Sequence, residues 1–156
     1  MIEMTLAGVR VELPTNQPIV LLKEAEGERY LPIWIGAAEA AAIAFALQGV
    51  VTPRPMTHDL MKNLLEEMGA EVARIEITEL REGTYYANLN LQMNGNAFTV
   101  SSRPSDAIAI AVRVDAPIFA DEDVLSEASI LIPNDEEAEV EKFREFIESV
   151  NPEDFA

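Results

Sequence analysis

The alternation of apolar and polar positions marks three β-type segments within the first 36 residues. They are MTLAGVRVEL, PIVLLKEAE and RYLPIWIG. The first segment ends at Pro14, and Glu26-Gly27-Glu28 between the other two is a hairpin signal because glycine permits a tight turn. The pattern therefore predicts antiparallel strands at the start of the chain.

Two stretches are apolar on almost every side and predict buried helices. The first, AAEAAAIAFALQGV (37–50), carries alanine and large apolar residues on nearly every face, and Gly49 is a suitable C-terminal stop. The second is SDAIAIAVRV (105–114). We expect both helices to pack against the predicted sheet.

A third helix, THDLMKNLLEEMGA (57–70), is amphipathic. Its large apolar residues recur with a 3.6-residue period and form one stripe: Leu60, Met61, Leu64, Leu65 and Met68. Thr57 fits the N-cap position and Gly69 the C′ position.

The remaining pattern predicts further strands. EVARIEITEL, TYYANLNLQM and NAFTVSS read as three of them, and Asn94-Gly95 between the last two is a strong hairpin turn. APIFA follows as a short strand, DEDVLSEAS as a brief helical turn, and ILIPNDEE as a link. Near the C-terminus, one face of AEVEKFREFIESV carries Val140, Phe143, Phe146, Ile147 and Val150.

The predicted fold is α+β, with a mostly antiparallel sheet, buried Ala-rich helices packed on it and an acidic C-terminal helix. We expect one domain over residues 1–132, and an acidic helical extension over 133–156 packed on that domain.

Composition narrows the setting of the protein. The chain has 156 residues and no cysteine, which excludes disulfides and thiolate metal sites and suits a reducing compartment. The N-terminus lacks the pattern of a signal peptide, and AAIAFAL is too short to cross a bilayer. We therefore expect a cytoplasmic protein without a membrane partner.

The formal charge of −17 argues against a nonspecific clamp on duplex nucleic acid. The acids are unevenly placed, because residues 115–156 hold 14 of the 28 acidic residues and 2 of the 11 basic ones. The rest of the chain is only mildly acidic. Its bases are mainly arginine, which holds phosphate or carboxylate through a planar fork.

Two predicted helix starts share a pattern that suits anion chemistry. TPRPMTHDL (52–60) and SSRPSDAI (101–108) each place Arg-Pro before a hydroxyl residue and an aspartate, and Glu39 lies in the first turn of the helix that begins at 37. A helix N-terminus binds phosphate through its free amides, and arginine adds a bidentate contact. Carboxylates at the same place bind Mg²⁺ or Mn²⁺ through oxygen.

Ordinary structural roles account for the same residues. Hydroxyl residues cap helices, first-turn acids complement the helix dipole, and arginine pairs with a neighbouring aspartate. His58, the only histidine, is either a polar residue of a surface helix or a general base or ligand, since imidazole titrates near neutrality. Trp34 is expected in core or interface packing rather than as a platform on which a base stacks. Of Tyr85 and Tyr86, one ring is expected on each face of its strand.

Several blocks of the chain, taken in order, resemble the bifunctional nuclease family. They are LPIWIGAAEAAAIAFALQGV, PRPMTHDLMKNLLEEMGA, ELREGTYYANL, SRPSDAIAIAVR and APIF, and the resemblance covers roughly residues 1–132. It implies a compact, oligomeric α+β protein that hydrolyses phosphodiester bonds of both DNA and RNA. Because DNA has no 2′-hydroxyl, such an enzyme needs an attacking water activated by a metal or a base.

The family blocks fall on the helix-start residues, and we infer a role for each of them from its side-chain chemistry. The expected catalytic residues are His58, Asp59 and Asp106. Phosphate binding is expected from Arg54, Thr57, Arg103 and Ser105. A divalent ion, Mg²⁺ or Mn²⁺, is expected on Glu39, Asp59 and Asp106.

Two other functions fit the same pattern. One is a non-catalytic module that binds an anion or a nucleotide at the helix starts without a metal. The other is an oligomeric regulatory protein whose polar helix starts are structural. In each case we expect a homodimer, because the apolar helices need more cover than one small sheet provides.

Overall fold

Eight strands form one sheet in the computed structural model, which describes residues 1–12 and 15–132. The strands are β1 (Ile2–Glu12), β2 (Gln17–Glu24), β3 (Arg29–Trp34), β4 (Glu71–Arg81), β5 (Thr84–Met93), β6 (Asn96–Ser102), β7 (Ile118–Ala120) and β8 (Ile130–Leu131). Their order across the sheet is β6-β5-β4-β7-β1-β2-β3-β8.

The sheet consists of two antiparallel meanders joined by β7. This strand of three residues runs antiparallel to β1, where Met4 faces Ile118, and parallel to β4, where Ile75 faces Ile118. The other pairings are antiparallel. The expected α+β fold with a mostly antiparallel sheet is therefore confirmed.

Helices pack on this sheet in the described part of the chain. They are α1 (Ala37–Gln48), α2 (Thr57–Glu67), α3 (Pro104–Val114) and α4 (Glu122–Ala128). Helix α3 lies over β4 and β5, α1 lies over β1 and β2, and α2 packs on α3. The core centres on α3, where residues 107–111 are buried against the strands.

The helix ends follow the sequence at their C-termini but not at the start of α2. Gly49 and Gly69 adopt left-handed φ values of 67° and 75°, as their predicted roles as helix stops require. The predicted N-cap Thr57 is wrong, since Met56 is the N-cap. Asp59 supplies the cap hydrogen bond by accepting from the Met56 backbone N–H at 3.0 Å.

The expectation that α1 is buried on nearly every face is wrong at both ends of the helix. Its buried residues are 40–43, whereas Leu47 is half exposed. Small alanine side chains bring the first turns close to α3, and nothing in the described chain covers the far end.

The apolar stripe of α2 is split between two environments. Met61 and Leu65 pack against the core, whereas Leu60, Leu64 and Met68 are 51%, 53% and 62% exposed. We call these three residues the α2 outer face. The stripe is wider than the surface that α3 offers, so one row of the helix faces outward.

The end of the described chain differs slightly from expectation. The helical turn at 121–129 is α4, capped by the Asp121 carboxylate, which accepts from the Asp123 backbone N–H at 2.8 Å. Ile130–Leu131, predicted as part of a link, instead forms β8 because it pairs with the free edge of β3. The predicted acidic helix and the extension 133–156 lie outside the described residues. Of the helices described, none has the length and apolarity needed to cross a membrane.

Candidate active site

Arg103, the residue just before α3, ties together the starts of two helices. Its Nη2 donates to Glu39 Oε1 in the first turn of α1 at 2.9 Å. Its Nε donates to Asp106 Oδ2 at 2.8 Å and its Nη2 to Asp106 Oδ1 at 3.2 Å, a bidentate contact within the first turn of α3. Residues far apart in sequence therefore meet at one guanidinium group.

His58 brings the start of α2 to the same place. Its Nε2 lies 2.9 Å from Asp106 Oδ1, and the residue is only 8% exposed. Glu39, His58, Arg103 and Asp106 thus form one connected group at three helix N-termini, which we call the helix-start cluster.

The protonation of Asp106 determines what His58 can do. Burial raises the pKa of Asp106, but hydrogen bonds from Arg103 and His58 and their charges outweigh burial, so its pKa lies below the ordinary value. Asp106 is therefore a carboxylate at neutral pH and can only accept hydrogen bonds. Nε2 of His58 accordingly carries the hydrogen, which in the neutral ring leaves the Nδ1 lone pair as the basic position.

Arg103 retains capacity to bind an anion. The hydrogen bonds to Asp106 and then Glu39 raise its pKa, so the group stays charged. They use the Nε and Nη2 hydrogens, and within the described residues neither hydrogen on Nη1 has an acceptor. The Arg103 side chain is 65% exposed, so those two donors face solvent.

The helix-start cluster carries one excess negative charge when the imidazole is neutral, because two carboxylates face one guanidinium. The N-termini of the three helices, which each contribute roughly +0.5 of an elementary charge, are together sufficient to offset that excess. An anion is thus favoured at Nη1 of Arg103 and the helix amides rather than at the carboxylates.

Asp59 has a different partner from the other predicted carboxylates. Its Oδ1 accepts from Arg113 Nε at 2.7 Å, and Arg113, 7% exposed at its side chain, also donates through Nη1 to the Ala109 carbonyl at 2.9 Å. The hydrogen bond from Arg113 holds the pKa of Asp59 below its ordinary value. Asp59 therefore anchors α2 to the far half of α3.

The remaining predicted residues form no side-chain hydrogen bond with the cluster. Arg54 and Thr57 are exposed at the approach to α2, and the Thr52 hydroxyl donates to the Arg54 carbonyl at 2.6 Å. Ser105 is buried at 6% exposure in the first turn of α3.

The geometry does not fit a metal site made of the three predicted ligands. Glu39 and Asp106 are bridged by Arg103, and Asp59 is held by Arg113. Over residues 1–12 and 15–132, no three histidine, aspartate or glutamate side chains are grouped so that they could hold a metal ion.

A groove of about 300 Å³ opens beside Arg103. Its lining includes Trp34, Tyr85, Gln17, Gly36 and Ser105. It joins the exposed guanidinium to the end of β3 and to the hairpin before β5. The groove and the helix-start cluster share Arg103, so they form one continuous surface.

Sequence reasoning placed Trp34 in packing, but a core position is wrong because its side chain is 53% exposed. Ile33 and Ile35 on either side are 3% and 6% exposed, so strand alternation turns the tryptophan outward. That alternation is visible in LPIWIG and was the available signal. Arg113 was also missed, and its partner lies 54 residues away, so no local pattern reveals the pair.

Comparison with known proteins finds a matching family model and several relatives. A family model described as the bifunctional nuclease domain matches residues 20–133. An uncharacterized protein of Mycobacterium tuberculosis is 52% identical over 162 residues, covering 98% of this chain and 97% of the relative.

Plant relatives match over a shorter stretch. Bifunctional nuclease 1 of Oryza sativa is 35% identical, over 66% of this chain and 32% of its own length. Bifunctional nuclease 2 of Arabidopsis thaliana is 34% identical, over 68% of this chain and 34% of its own length. The chain thus spans about a third of each plant protein. The helix-start cluster lies within residues 20–133, the range that the family model matches.

Proposed function

The chain belongs to the bifunctional nuclease domain family, and on that premise we propose that it hydrolyses phosphodiester bonds of DNA and RNA at the helix-start cluster. The observation that carries the proposal is the chain of contacts from His58 through Asp106 to Arg103, formed where three helices begin. It supplies a base, a group that orients the base, and a cation for the phosphate.

In the proposed reaction, water attacks phosphorus and His58 Nδ1 takes its proton. Asp106 holds the imidazole through Nε2 and stabilises the imidazolium that forms, the role of the carboxylate in a Ser-His-Asp triad. The bond from phosphorus to the leaving sugar oxygen breaks, and that oxygen takes a proton from solvent. General base catalysis of this kind contributes roughly 10²- to 10⁴-fold.

Arg103 and the helix amides stabilise the phosphate as its charge redistributes. The two Nη1 donors bind a nonbridging oxygen each, and the first-turn amides of α3 lie at the same end of that helix. Arg54, Thr57 and Ser105 flank this position and are proposed to contact phosphates of the bound strand.

Whether hydrolysis also needs a divalent ion, Mg²⁺ or Mn²⁺, is tested in the assay below. The described carboxylates do not form the expected ligand set, so none of the steps above depends on a metal.

The experiment measures cleavage of end-labelled single-stranded DNA and RNA by the purified chain with Mg²⁺, with Mn²⁺ and with chelator. We expect His58→Gln and Asp106→Asn to lower kcat at least about 100-fold, as loss of a general base requires. We expect Arg103→Gln to raise KM as well as lower kcat, because Arg103 binds the phosphate.

Lys23→Gln is the matched control, because this substitution also removes one positive charge. Lys23 does not line the groove and lies six residues along β2 from Gln17, which does. Its activity should equal that of the unmodified protein. Activity that survives in both His58→Gln and Asp106→Asn, or cleavage absent under all three metal conditions, would contradict the proposal.

A non-catalytic nucleotide-binding module is the second candidate, favoured by the absence of a three-ligand metal group in the described residues. Calorimetric titration with mononucleotides in chelator separates the two. Binding at Arg103 with no turnover under any metal condition supports the module.

We also propose a cytoplasmic homodimer in which a second copy covers the α2 outer face. Leu60, Leu64 and Met68 expose a row of large apolar side chains, which a partner surface would bury. The absence of cysteine supports a reducing compartment.

A further inference from the structure

We propose that the groove beside Arg103 binds one unstacked base of a single-stranded nucleic acid, with Trp34 as its stacking surface. The proposal rests on the proposed function only for the phosphate at Arg103. It adds a base-binding position that the hydrolytic step does not require.

Trp34 has the properties of a stacking platform. Its side chain is 53% exposed at the end of β3, although an indole of this size gains more than most side chains from burial. The neighbouring residues Ile33 and Ile35 are buried, so the backbone beneath the ring is fixed by the core. A rigid, exposed aromatic face lies ready to stack with a flat ligand.

Two other residues that line the groove are held in place by hydrogen bonds. The hydroxyl of Tyr85 donates to the Pro32 carbonyl at 3.3 Å, which ties the start of β5 to β3. Gln17 donates through Nε2 to the Ile35 carbonyl at 3.1 Å, leaving its amide oxygen to accept from the edge of a base. The walls therefore offer flat apolar surface and polar groups together.

The size and charge of the groove select the ligand. Its volume of about 300 Å³ lies at the lower end of the range for small-molecule sites, which is about 300–1,000 Å³. Arg103 stands at one side of the groove and Trp34 also lines it, so a phosphate and an adjacent base would be held together. Proteins that bind single-stranded nucleic acid combine positively charged side chains with aromatic ones in the same way.

A duplex can offer an unstacked base only after that base has been flipped out of the helix, which costs free energy. Single strands should therefore bind more tightly than duplexes. Trp34 is the only tryptophan in the chain, so intrinsic fluorescence reports on this position alone. The test titrates the full chain with a short oligodeoxythymidylate in chelator. The strand is checked to be intact after each titration, because the proposed hydrolysis does not depend on a metal. The paired probe is an abasic strand with the same number of phosphates.

We expect the oligodeoxythymidylate to quench the fluorescence and the abasic strand to leave it nearly unchanged. Anisotropy of labelled strands then gives Kd for variants. Trp34→Ala should raise Kd for the oligodeoxythymidylate about 5- to 140-fold, the equivalent of the roughly 1–3 kcal/mol that stacking contributes per base. The same substitution should not change Kd for the abasic strand, and Trp34→Phe should retain most of the affinity.

Equal binding of the two strands by the unmodified protein, or equal Kd for Trp34→Ala and the unmodified protein, would overturn the inference. So would Trp34 fluorescence that changes with protein dilution alone, because it would assign the ring to contact between two copies. The comparison of the two strands needs no variant and holds even if Trp34→Ala does not fold. Quenching by the oligodeoxythymidylate, together with no cleavage in Mg²⁺, Mn²⁺ or chelator, would reject the proposed function and keep this inference. Equal cleavage and equal binding of abasic and normal strands would do the reverse.

Discussion

Glu39, Asp59 and Asp106 occupy the same position in their helices, the third residue of the first turn. Each carboxylate accepts from an arginine, but the arginines differ in exposure: the side chain of Arg103 is 65% exposed and that of Arg113 is 7% exposed. Arg103 can still bind a ligand, whereas the Nε of Arg113 is committed to Asp59. The three acids thus share a position in their helices, and the exposure of the arginine that each one contacts distinguishes their roles.

The Asp59–Arg113 pair should contribute to stability rather than to the chemical step. We expect Asp59→Asn to lower the free energy of unfolding by about 1–3 kcal/mol, because it leaves a buried guanidinium without its charged acceptor. Solvent access to Asp59 keeps the loss in that range. Urea unfolding measures it, with Asn63→Ala on the exposed side of α2 as a control.

The pH dependence provides a second readout of the same substitution. Because Arg113 lowers the pKa of Asp59 in the folded state, the stability it gives is full above the ordinary aspartate pKa of about 3.9 and is lost as the pH falls through the folded value. Stability of Asp59→Asn should thus fall less steeply in acid. Loss of hydrolysis with unchanged stability in Asp59→Asn would instead return Asp59 to the catalytic group.

Sequence reasoning identified the chemistry of the helix starts but not how they connect. Arg103 and Asp106 are three residues apart, so their pairing is expected within one helical turn. The contacts from Arg103 to Glu39 and from His58 to Asp106 span 64 and 48 residues, and only the sheet topology that packs α1 and α2 against α3 creates them. Short-range patterns carry no information about such distances.

At the scale of the element, α2 shows that the apolar stripe of a helix can be wider than the part of it that is buried. Leu64 and Leu65 are adjacent and identical in type, yet Leu65 packs on the core and Leu64 is 53% exposed. The periodicity of the sequence gives both residues equal weight, because it does not contain the width of the surface on the other side.

This pair allows a matched prediction. Leu65→Ala should lower the free energy of unfolding by about 1–3 kcal/mol, less than full burial would give because the residue is only partly covered. Leu64→Ala should change it by less than about 0.5 kcal/mol. Thermal or urea unfolding at low protein concentration, where the α2 outer face is free, measures both, and an equal loss for the two would contradict the described packing.

At the scale of the whole molecule, the α2 outer face bears on assembly. We expect light scattering at micromolar concentration to give the mass of a dimer, and Leu64→Asp to give that of a monomer because a charge cannot be buried unpaired. Thr78→Asp on β4 is the control, since it adds the same charge away from α2. A monomeric mass for the unmodified protein would reject the dimer.

The fold class was predictable because strands and helices each left a clear period, and the Asn94-Gly95 turn fixed one hairpin. The order of strands was not. Ile118–Ala120 reads as a minor strand in the sequence, yet it lies at the centre of the sheet, because only its contacts with residues more than 40 positions earlier give it that place.

The central place of β7 has a consequence for how the molecule is made. Among the strands described, the two meanders share no direct pairing and are joined only through β7. During synthesis, every strand except β8 therefore leaves the ribosome before the strand that joins the meanders. The sheet can close only after about the first 120 residues have left the exit tunnel, since Ala120 pairs with Ile2. Pairing between residues so distant in sequence is slow. We therefore expect the pairing of β7 with β1 to be a late step in the folding of the chain.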